Sequence, residues 1–386
     1  MSDYTLVGAN VDTWILNVKS TGEFSAELAQ QLDELKAASQ ETETDLATPW
    51  SFEGETLYIK AHGSGRQWRW ILHCPSLHLD IGTGKLNHII GKARLASVFL
   101  WAKGPDVALA TLYSFLVTLY GQSFTLQVSE AHLCADIAGW ELALDAADAF
   151  ITRGHNRQTH LSDSNAAEDF TLPTCEVHQH GRRCTGYEFS RGGVHSCRIY
   201  DKTKEFVVSR KDWMQAIWLR NGWDGESRVT RVEFVYKREC LREMGIEDAY
   251  EFLDELAAMW AYSTFQWLRH TEPTEDTNRG RWPISPFWQA VQHVVEFGEP
   301  AEPAAREKQH AGDLKLICQM LTGCATTAAA YLANRLPETD DGSLFLHWFY
   351  DWMLTYLDEK GLSFGGQRDS KRDRLGIVLD DGSRAA

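Results

Sequence analysis

Several motifs that would point directly to a known chemistry are missing from this sequence of 386 residues. None of its eight cysteines forms a CxxC pair or a repeated spacing, so neither a zinc framework nor a disulfide scaffold is indicated. No GxxxxGK followed by Ser or Thr occurs, and no well-placed GxGxxG, which argues against nucleotide hydrolysis. No low-complexity tract is present. A hydrophobic content of 44% and 15 Trp instead describe a globular protein with a substantial core.

Positive charge is also scarce, with 38 Lys and Arg against 54 Asp and Glu and a net charge of −16 at pH 7. This balance argues mildly against nucleic-acid binding, because phosphate contacts need a positive surface. The charge is uneven, however: between Arg182 and Arg238, 13 Lys and Arg stand against 7 Asp and Glu, a local excess of +6. This segment is either a phosphate-binding face or a solvated surface on which basic residues cluster by chance.

Neither a signal peptide nor a convincing membrane span is recognised in the sequence. The start, "MSDYTLVGANVD", lacks a basic region followed by an apolar one. Residues 107–129 carry no charge, but "YGQS" (120–123) interrupts them, and a buried helix followed by a strand is the better interpretation. We therefore expect a soluble, cytoplasmic protein with reduced cysteines and no membrane partner.

The order of helix and strand patterns predicts an α+β fold. Strand patterns such as "DTWILNVK" (12–19), "ARLASVFLWA" (93–102) and "RVTRVEFVYKRE" (228–239) alternate with helices up to about residue 240, without a regular βαβ rhythm. From 247 onward the pattern is helical. We expect a largely antiparallel, curved sheet with packed helices as a catalytic domain over 1–240, an all-helical part over 241–365, and a flexible tail over 366–386.

Three of the predicted strands place polar residues on matching faces. In "SCRIYDKTKEF" (196–206), alternation sets one tyrosine between two cations, namely Arg198, Tyr200 and Lys202. Two further strands each carry a carboxylate among apolar residues, Asp136 in "SEAHLCADIA" and Glu233 in "RVTRVEFVYKRE". Because an unpaired buried carboxylate is costly, we interpret the three strands as one site, although ordinary ion pairs and a rim tyrosine are the alternatives.

Such a set of side chains suits phosphoryl chemistry. Two carboxylates, Asp136 and Glu233, would hold Mg²⁺ or Mn²⁺ through hard oxygen ligands. The metal would polarise a phosphoryl oxygen, and Arg198 and Lys202 would share the negative charge of the transition state. Nearby cations lower the cost of a phenolate, which would make Tyr200 a usable nucleophile.

The sequence resembles a known family at this point. The run "TGYEFSRGGVHSCRIYDKTKE" (185–205), followed by "VTRVEFVYKRE" (229–239), is similar to the Rep_trans replication initiation factors. These include initiators of rolling-circle plasmids and relaxases of integrative and conjugative elements. The likeness covers about residues 10–260, and Cys134 stands where the family often has Arg.

The resemblance implies a sequence-specific nickase and strand transferase that forms a covalent 5′-phosphotyrosine through Tyr200. The implied partners are double-stranded origin DNA with a locally single-stranded nick site, a host helicase, and a second copy of the chain as a homodimer. The expected DNA contacts come from the two motifs and their flanks: Tyr187, Ser190, Arg191, Lys204, Arg231 and Lys237. Whether the product starts rolling-circle replication or conjugative transfer of a plasmid or other element stays open.

Two alternatives remain at this stage. "VHQHG" (177–181) contains His178 and His180 in the His-x-His pattern that binds metal in a different group of nickases, with solvent-exposed histidines as the default. The second alternative is a non-catalytic origin-binding regulator on the same fold, which would bind DNA in a salt-dependent manner without requiring a metal.

Overall fold

A computed structural model describes residues 4–84, 87–121, 123–153, 176–180, 183–209, 212–307, 314–331 and 343–375. The chain divides into two compact units, residues 1–306 and 307–386. The first unit contains every strand of the described chain, and the second contains helices. The predicted α+β class is confirmed.

An antiparallel sheet of eleven strands forms the centre of the first unit. Its spatial order is β2-β3-β4-β5-β6-β1-β7-β12-β11-β10-β9, and a separate two-stranded sheet pairs β8 with β13. The strands are β1 (Thr5–Lys19), β2 (Leu46–Phe52), β3 (Glu55–Ile59), β4 (Trp70–His73), β5 (Leu77–Ile81), β6 (Ile89–Leu95), β7 (Thr125–Ala138), β8 (Phe150–Thr152), β9 (Glu176–His180), β10 (Arg183–Phe189), β11 (His195–Asp201), β12 (Val229–Lys237) and β13 (Leu268–His270).

Local sequence signals set the ends of several helices. Ser25 caps α1 by accepting a hydrogen bond from the backbone of Leu28, and Pro105 occupies the first turn of α3, where its missing N–H costs nothing. The helices are α1 (Ala26–Thr42), α2 (Ser97–Lys103), α3 (Pro105–Tyr120), α4 (Lys202–Ser209), α5 (Asp212–Arg220), α6 (Arg238–Glu243), α7 (Ala249–Asp254), α8 (Leu256–Ala261), α9 (Pro286–Gln292), α10 (Leu314–Tyr331), α11 (Ser343–Glu359) and α12 (Phe364–Leu375). Single turns of other helix types cover Leu144–Ala149, Tyr262–Trp267 and Arg279–Arg281.

The long central strands bury alternate residues on the face of the sheet that carries the main core. Trp14 of β1 lies against Phe252 of α7, with ring centroids 4.9 Å apart, and Phe234 of β12 lies 5.4 Å from Trp260 of α8. All four side chains are at most 2% exposed. Aromatic packing of this kind fixes the helices after β12 onto the sheet and holds the central strands rigid.

Helices α6 to α9, which follow β12, belong to the first unit, whereas the sequence assigned residues 241–306 to a separate helical part. The structure divides after Arg306 because α6 to α9 contribute Leu241, Phe252, Trp260 and Trp288 to the same core as the sheet. Of the predicted tail, residues 366–375 lie in α12, and residues 376–386 fall outside the described chain.

One strand prediction is wrong. The stretch 93–102 was expected to be a single strand, but β6 ends at Leu95 and α2 begins at Ser97. Phe99 and Leu100 still reach the core, from a helix instead of a strand. A short apolar run cannot by itself distinguish a buried strand from a buried helix.

The second unit is described only by its helices α10 to α12. Large apolar side chains of α11 are exposed within that unit, including Leu346 (59%) and Trp352 (49%). In the described part of the chain no helix combines the length and apolar character that crossing a bilayer would require.

Candidate active site

Cross-strand register builds a polar site on the face of the sheet opposite the main core. One row of paired residues runs across β9, β10, β11, β12 and β7 as His178, Gly186, Tyr200, Arg231 and Asp136. The next row runs from β10 to β7 as Glu188, Arg198, Glu233 and Cys134. Paired residues of antiparallel strands point to the same side of the sheet, so the three strands predicted to meet do meet.

The carboxylate of Glu233 is the centre of the site. Tyr200 donates its hydroxyl hydrogen to Oε2 of Glu233 at 3.1 Å, and Nη2 of Arg198 donates to Oε1 at 2.5 Å. Nζ of Lys202 lies 3.4 Å from the Tyr200 hydroxyl and forms an ion pair of 2.5 Å with Glu205. The structure therefore brings the predicted catalytic residues together around one buried carboxylate.

A histidine that the sequence analysis did not select, His132, is a further hydrogen-bond partner of Glu233. Nδ1 of His132 lies 2.8 Å from Oε1 of Glu233, and Nε2 lies 2.9 Å from Oε1 of Glu130. Burial alone would lower the pKa of His132, but the hydrogen bonds and charges of the two glutamates outweigh it and raise the pKa to about 9. His132 is therefore an imidazolium at neutral pH, which binds both carboxylates.

The same contacts determine the protonation state of Glu233. Burial alone would raise the pKa of Glu233. The hydrogen bond from His132 and the charges of Arg198 and His132 lower it by more, so that the pKa falls to about 2. Glu233 is thus ionised at neutral pH and its charge is balanced by two cations. Its side chain is only 3% exposed, so these partners, and not water, hold the ion in place.

Tyr200 is a protonated phenol in this setting. Burial raises its pKa well above the ordinary value, and the negative charge of Glu233 raises it further. Desolvation and Glu233 raise this pKa by more than the positive charge of Arg231 lowers it, so a nearby cation favours the phenolate as expected but does not produce it in the resting site. A nucleophilic Tyr200 would need a proton acceptor, and Glu233 is already hydrogen-bonded to it.

Asp136 and Arg231 form a separate, fully buried ion pair. Both side chains are 0% exposed, and Nε and Nη2 of Arg231 donate to the two oxygens of Asp136 at 2.6 and 2.7 Å. Trp218 of α5 donates to Asp136 Oδ2 at 2.9 Å, and Arg231 Nη1 also pairs with Asp12 at 2.8 Å. This group joins β1, β7, β12 and α5, which is a structural role.

The predicted two-carboxylate metal site does not fit these contacts. Both oxygens of Asp136 accept hydrogen bonds from Arg231 and Trp218, and both oxygens of Glu233 accept from Arg198, His132 or Tyr200. Asp136 is also absent from the lining of the cleft that Glu233 faces. Over the residues that the structure describes, no three His, Cys, Asp or Glu side chains are grouped as a metal would need.

The predicted DNA contacts fall into two groups. Arg191, Lys204 and Lys237 are at least partly exposed, with 61% of the Arg191 side chain accessible. The prediction does not fit the others: Arg231 is 0% exposed, Tyr187 is 1% exposed, and Ser190 is buried at φ 52° in the turn after β10. The hydroxyl of Tyr187 is hydrogen-bonded to the backbone of Ala143, and its ring packs 5.3 Å from Phe150, so it belongs to the core.

A cleft of about 500 Å³ opens above Tyr200 and Glu233. Its lining includes four carboxylate or imidazole side chains to which the sequence analysis gave no role in the reaction: Asp12, His132, Glu188 and Glu205. His178 of the His-x-His pattern also lines it, whereas the side chain of His180 lies outside the described set. Strand alternation on β7 puts Glu130 and His132 on the same face as Asp136. The sequence therefore contained enough information to place His132 near the site.

Comparisons with protein-family models and with curated proteins give no match. Among solved structures, the chain is similar to a rolling circle replication initiator protein from Geobacillus stearothermophilus, with 12% identity and a TM-score of 0.40. That likeness covers 77% of this chain and 100% of the other.

Proposed function

We propose that this protein nicks and rejoins one strand of DNA through a covalent bond between Tyr200 and a 5′-phosphate, and so starts rolling-circle replication or transfer of a mobile element. The observation that carries this proposal is the hydrogen bond of 3.1 Å from the Tyr200 hydroxyl to Glu233, in a cleft that also exposes Arg198. The "RIYDK" motif that contains Tyr200 supports it from the sequence.

The residues divide the reaction between them. The Tyr200 oxygen attacks phosphorus, the P–O3′ bond breaks, and the phenol proton passes to Glu233 Oε2. That proton becomes acidic only as the oxygen bonds to phosphorus, so an ionised Glu233 of low pKa is a sufficient acceptor late in the step. The leaving 3′-oxygen takes up a proton from the solvent or from an acid in the cleft, so the products are a 5′-phosphotyrosine ester and a free 3′-OH, and the ester allows rejoining without ATP.

Arg198 and Lys202 are the residues placed to stabilise the phosphate. Arg198 donates from Nη2 to Glu233, and 44% of its side chain is exposed. Its guanidinium, which lines the cleft, can therefore also donate to a phosphoryl oxygen. Lys202, 2% exposed and 3.4 Å from the phenol oxygen, supplies positive charge from the side of the nucleophile.

The shape of the cleft favours a single strand as the substrate. Tyr200 is only partly exposed where it lines a cavity of about 500 Å³, which suits a nucleotide-sized group. A phosphate in an intact duplex is attached to a wide helix and is less free to enter such a cavity than a phosphate in a single strand. A locally melted origin, with a host helicase and a second copy of the chain as partners, stays a prediction from the resemblance.

The test uses a pool of single-stranded oligonucleotides of randomised sequence, labelled at the 3′ end, with Mn²⁺ present. The wild-type protein should carry the label through a denaturing gel, because the 3′ fragment stays attached to Tyr200. Tyr200→Phe should give no labelled protein. Tyr187→Phe is the matched control, since it removes a buried hydroxyl from the neighbouring strand, and it should give the labelled species. Labelled Tyr200→Phe protein, or unlabelled wild-type protein, would overturn the proposal.

A further inference from the structure

The cleft contains a second ionisable side chain on the far side of Tyr200. His178 and Tyr200 stand on β9 and β11, and each is paired across the sheet with the same residue of β10, Gly186. Neighbouring strands lie about 4.8 Å apart, so the two backbones are about 10 Å apart with one strand between them. Both side chains line the same cleft.

Gly186 leaves the space between them open. A Cβ at this position would lie 3.2 Å from Cβ of Tyr200 and 2.9 Å from the carbonyl oxygen of Ile199. Any side chain there would press on the backbone of β11 and fill the floor of the cleft. The glycine therefore creates a gap over which a phosphate group can lie, with Tyr200 on one side and His178 on the other.

The imidazole of His178 is held from the adjacent row of the sheet. Its Nε2 lies 3.4 Å from Oε2 of Glu188, and 47% of the His178 side chain is exposed. A carboxylate beside one ring nitrogen can fix the orientation of an imidazole and leave the other nitrogen for the substrate. Thr185 and Arg198 line the same cleft, and Nε of Arg191 lies 3.7 Å from the same oxygen of Glu188.

Displacement at phosphorus needs the attacking and leaving oxygens roughly in line, on opposite sides of the phosphorus atom. We propose that His178 is the general acid that protonates the leaving 3′-oxygen while Tyr200 attacks from the opposite side. The Tyr200 O–P bond forms, the P–O3′ bond breaks, Glu233 takes the phenol proton, and the His178 imidazolium gives its proton to O3′. Rejoining runs the same steps in reverse, with His178 as the base. The inference rests on the proposed nicking function.

A sulfur substitution tests this assignment. A thiolate leaves without protonation, so an oligonucleotide in which sulfur replaces the bridging 3′-oxygen at the cleaved position does not need the acid. The cleaved position is read from the adducts captured with the randomised pool. We expect His178→Ala to slow adduct formation on the oxygen substrate by roughly 10²- to 10⁴-fold and to match the wild-type rate on the sulfur substrate.

The controls separate this role from binding and from folding. Glu188→Gln should slow adduct formation on the oxygen substrate by less than His178→Ala does, because Glu188 acts through His178. On the sulfur substrate the Glu188→Gln protein should react at the wild-type rate. His62→Ala changes an exposed histidine outside the cleft and should match wild type on both substrates. A His178→Ala protein that is equally slow on both substrates, or as fast as wild type on oxygen, overturns the general-acid assignment. Failure of the nicking function itself is distinguishable, because the wild-type protein would then form no adduct on either substrate.

Discussion

The hydroxyl of Tyr200 and the carboxylate of Glu233 lie 3.1 Å apart on adjacent antiparallel strands, two residues away from direct register. Tyr200 pairs with Arg231, and Glu233 pairs with Arg198, so the bond crosses the sheet diagonally. Diagonal neighbours are within reach of a long aromatic side chain. The phenol is therefore held over the carboxylate by strand register alone, before any substrate binds.

Replacing Glu233 by Gln should remove the proton acceptor and keep the shape of the side chain. We expect adduct formation by Glu233→Gln to fall by about 10²- to 10⁴-fold in single-turnover assays at saturating DNA. Glu130→Gln is the informative comparison, because Glu130 also binds His132 but does not contact Tyr200. Equal losses in the two variants would show that Glu233 acts only through His132, contrary to the proposed role.

Much of this site could be predicted from the sequence, because period-two alternation and the spacing of "RIYDK" placed Arg198, Tyr200 and Glu233 on facing strands. The partner of each charge could not be predicted. Asp136 and Glu233 looked equivalent, yet only the register of β7 with β12 sets Asp136 opposite Arg231, and only the packing of α5 adds Trp218. Choice of partner depends on long-range register and on helix docking, which a single sequence does not specify.

Substitution of Asp136 tests whether this carboxylate is a metal ligand or one half of a structural ion pair with Arg231. Asp136→Asn should leave Arg231 buried with less compensation, at a cost of about 3 kcal/mol in the free energy of unfolding. Any dependence of adduct formation on the Mn²⁺ concentration should be the same in this variant as in wild type. Thermal unfolding measures the first effect, and a Mn²⁺ titration measures the second. A shifted Mn²⁺ requirement in a variant of normal stability would restore Asp136 as a ligand.

The raised pKa of His132 predicts a pH window for stability. Its folded-state pKa of about 9 lies above the ordinary value of 6.5, so the stabilisation is complete below pH 6.5 and is lost as the pH rises through 9. This shift corresponds to roughly 3 kcal/mol for a side chain that is 12% exposed. The melting temperature of wild type should therefore exceed that of His132→Gln most below pH 6.5, and the difference should shrink by pH 10.

His78 offers the matched control for this window. It lies 3.2 Å from Asp80 but is 38% exposed, so water screens the pair. His78→Gln should follow the wild-type melting temperature at every pH. A His132→Gln difference that stays constant from pH 6 to 10 would mean that the imidazolium is not what binds the two glutamates together.

Substitution of Lys202 can distinguish the effect of a buried positive charge beside Tyr200 from the effect of positive charge on the protein surface. Its ammonium is 2% exposed and lies 3.4 Å from the Tyr200 hydroxyl, so salt screens it little. We expect Lys202→Met to slow adduct formation at saturating DNA by about 10²- to 10³-fold, with a similar loss at low and moderate salt. Lys103→Met removes an exposed lysine that also pairs with a glutamate, Glu53 at 2.7 Å, and should leave the rate unchanged. A Lys202→Met loss that disappears at moderate salt would instead assign this lysine to general attraction of DNA, since only screened, solvent-facing charges behave in that way.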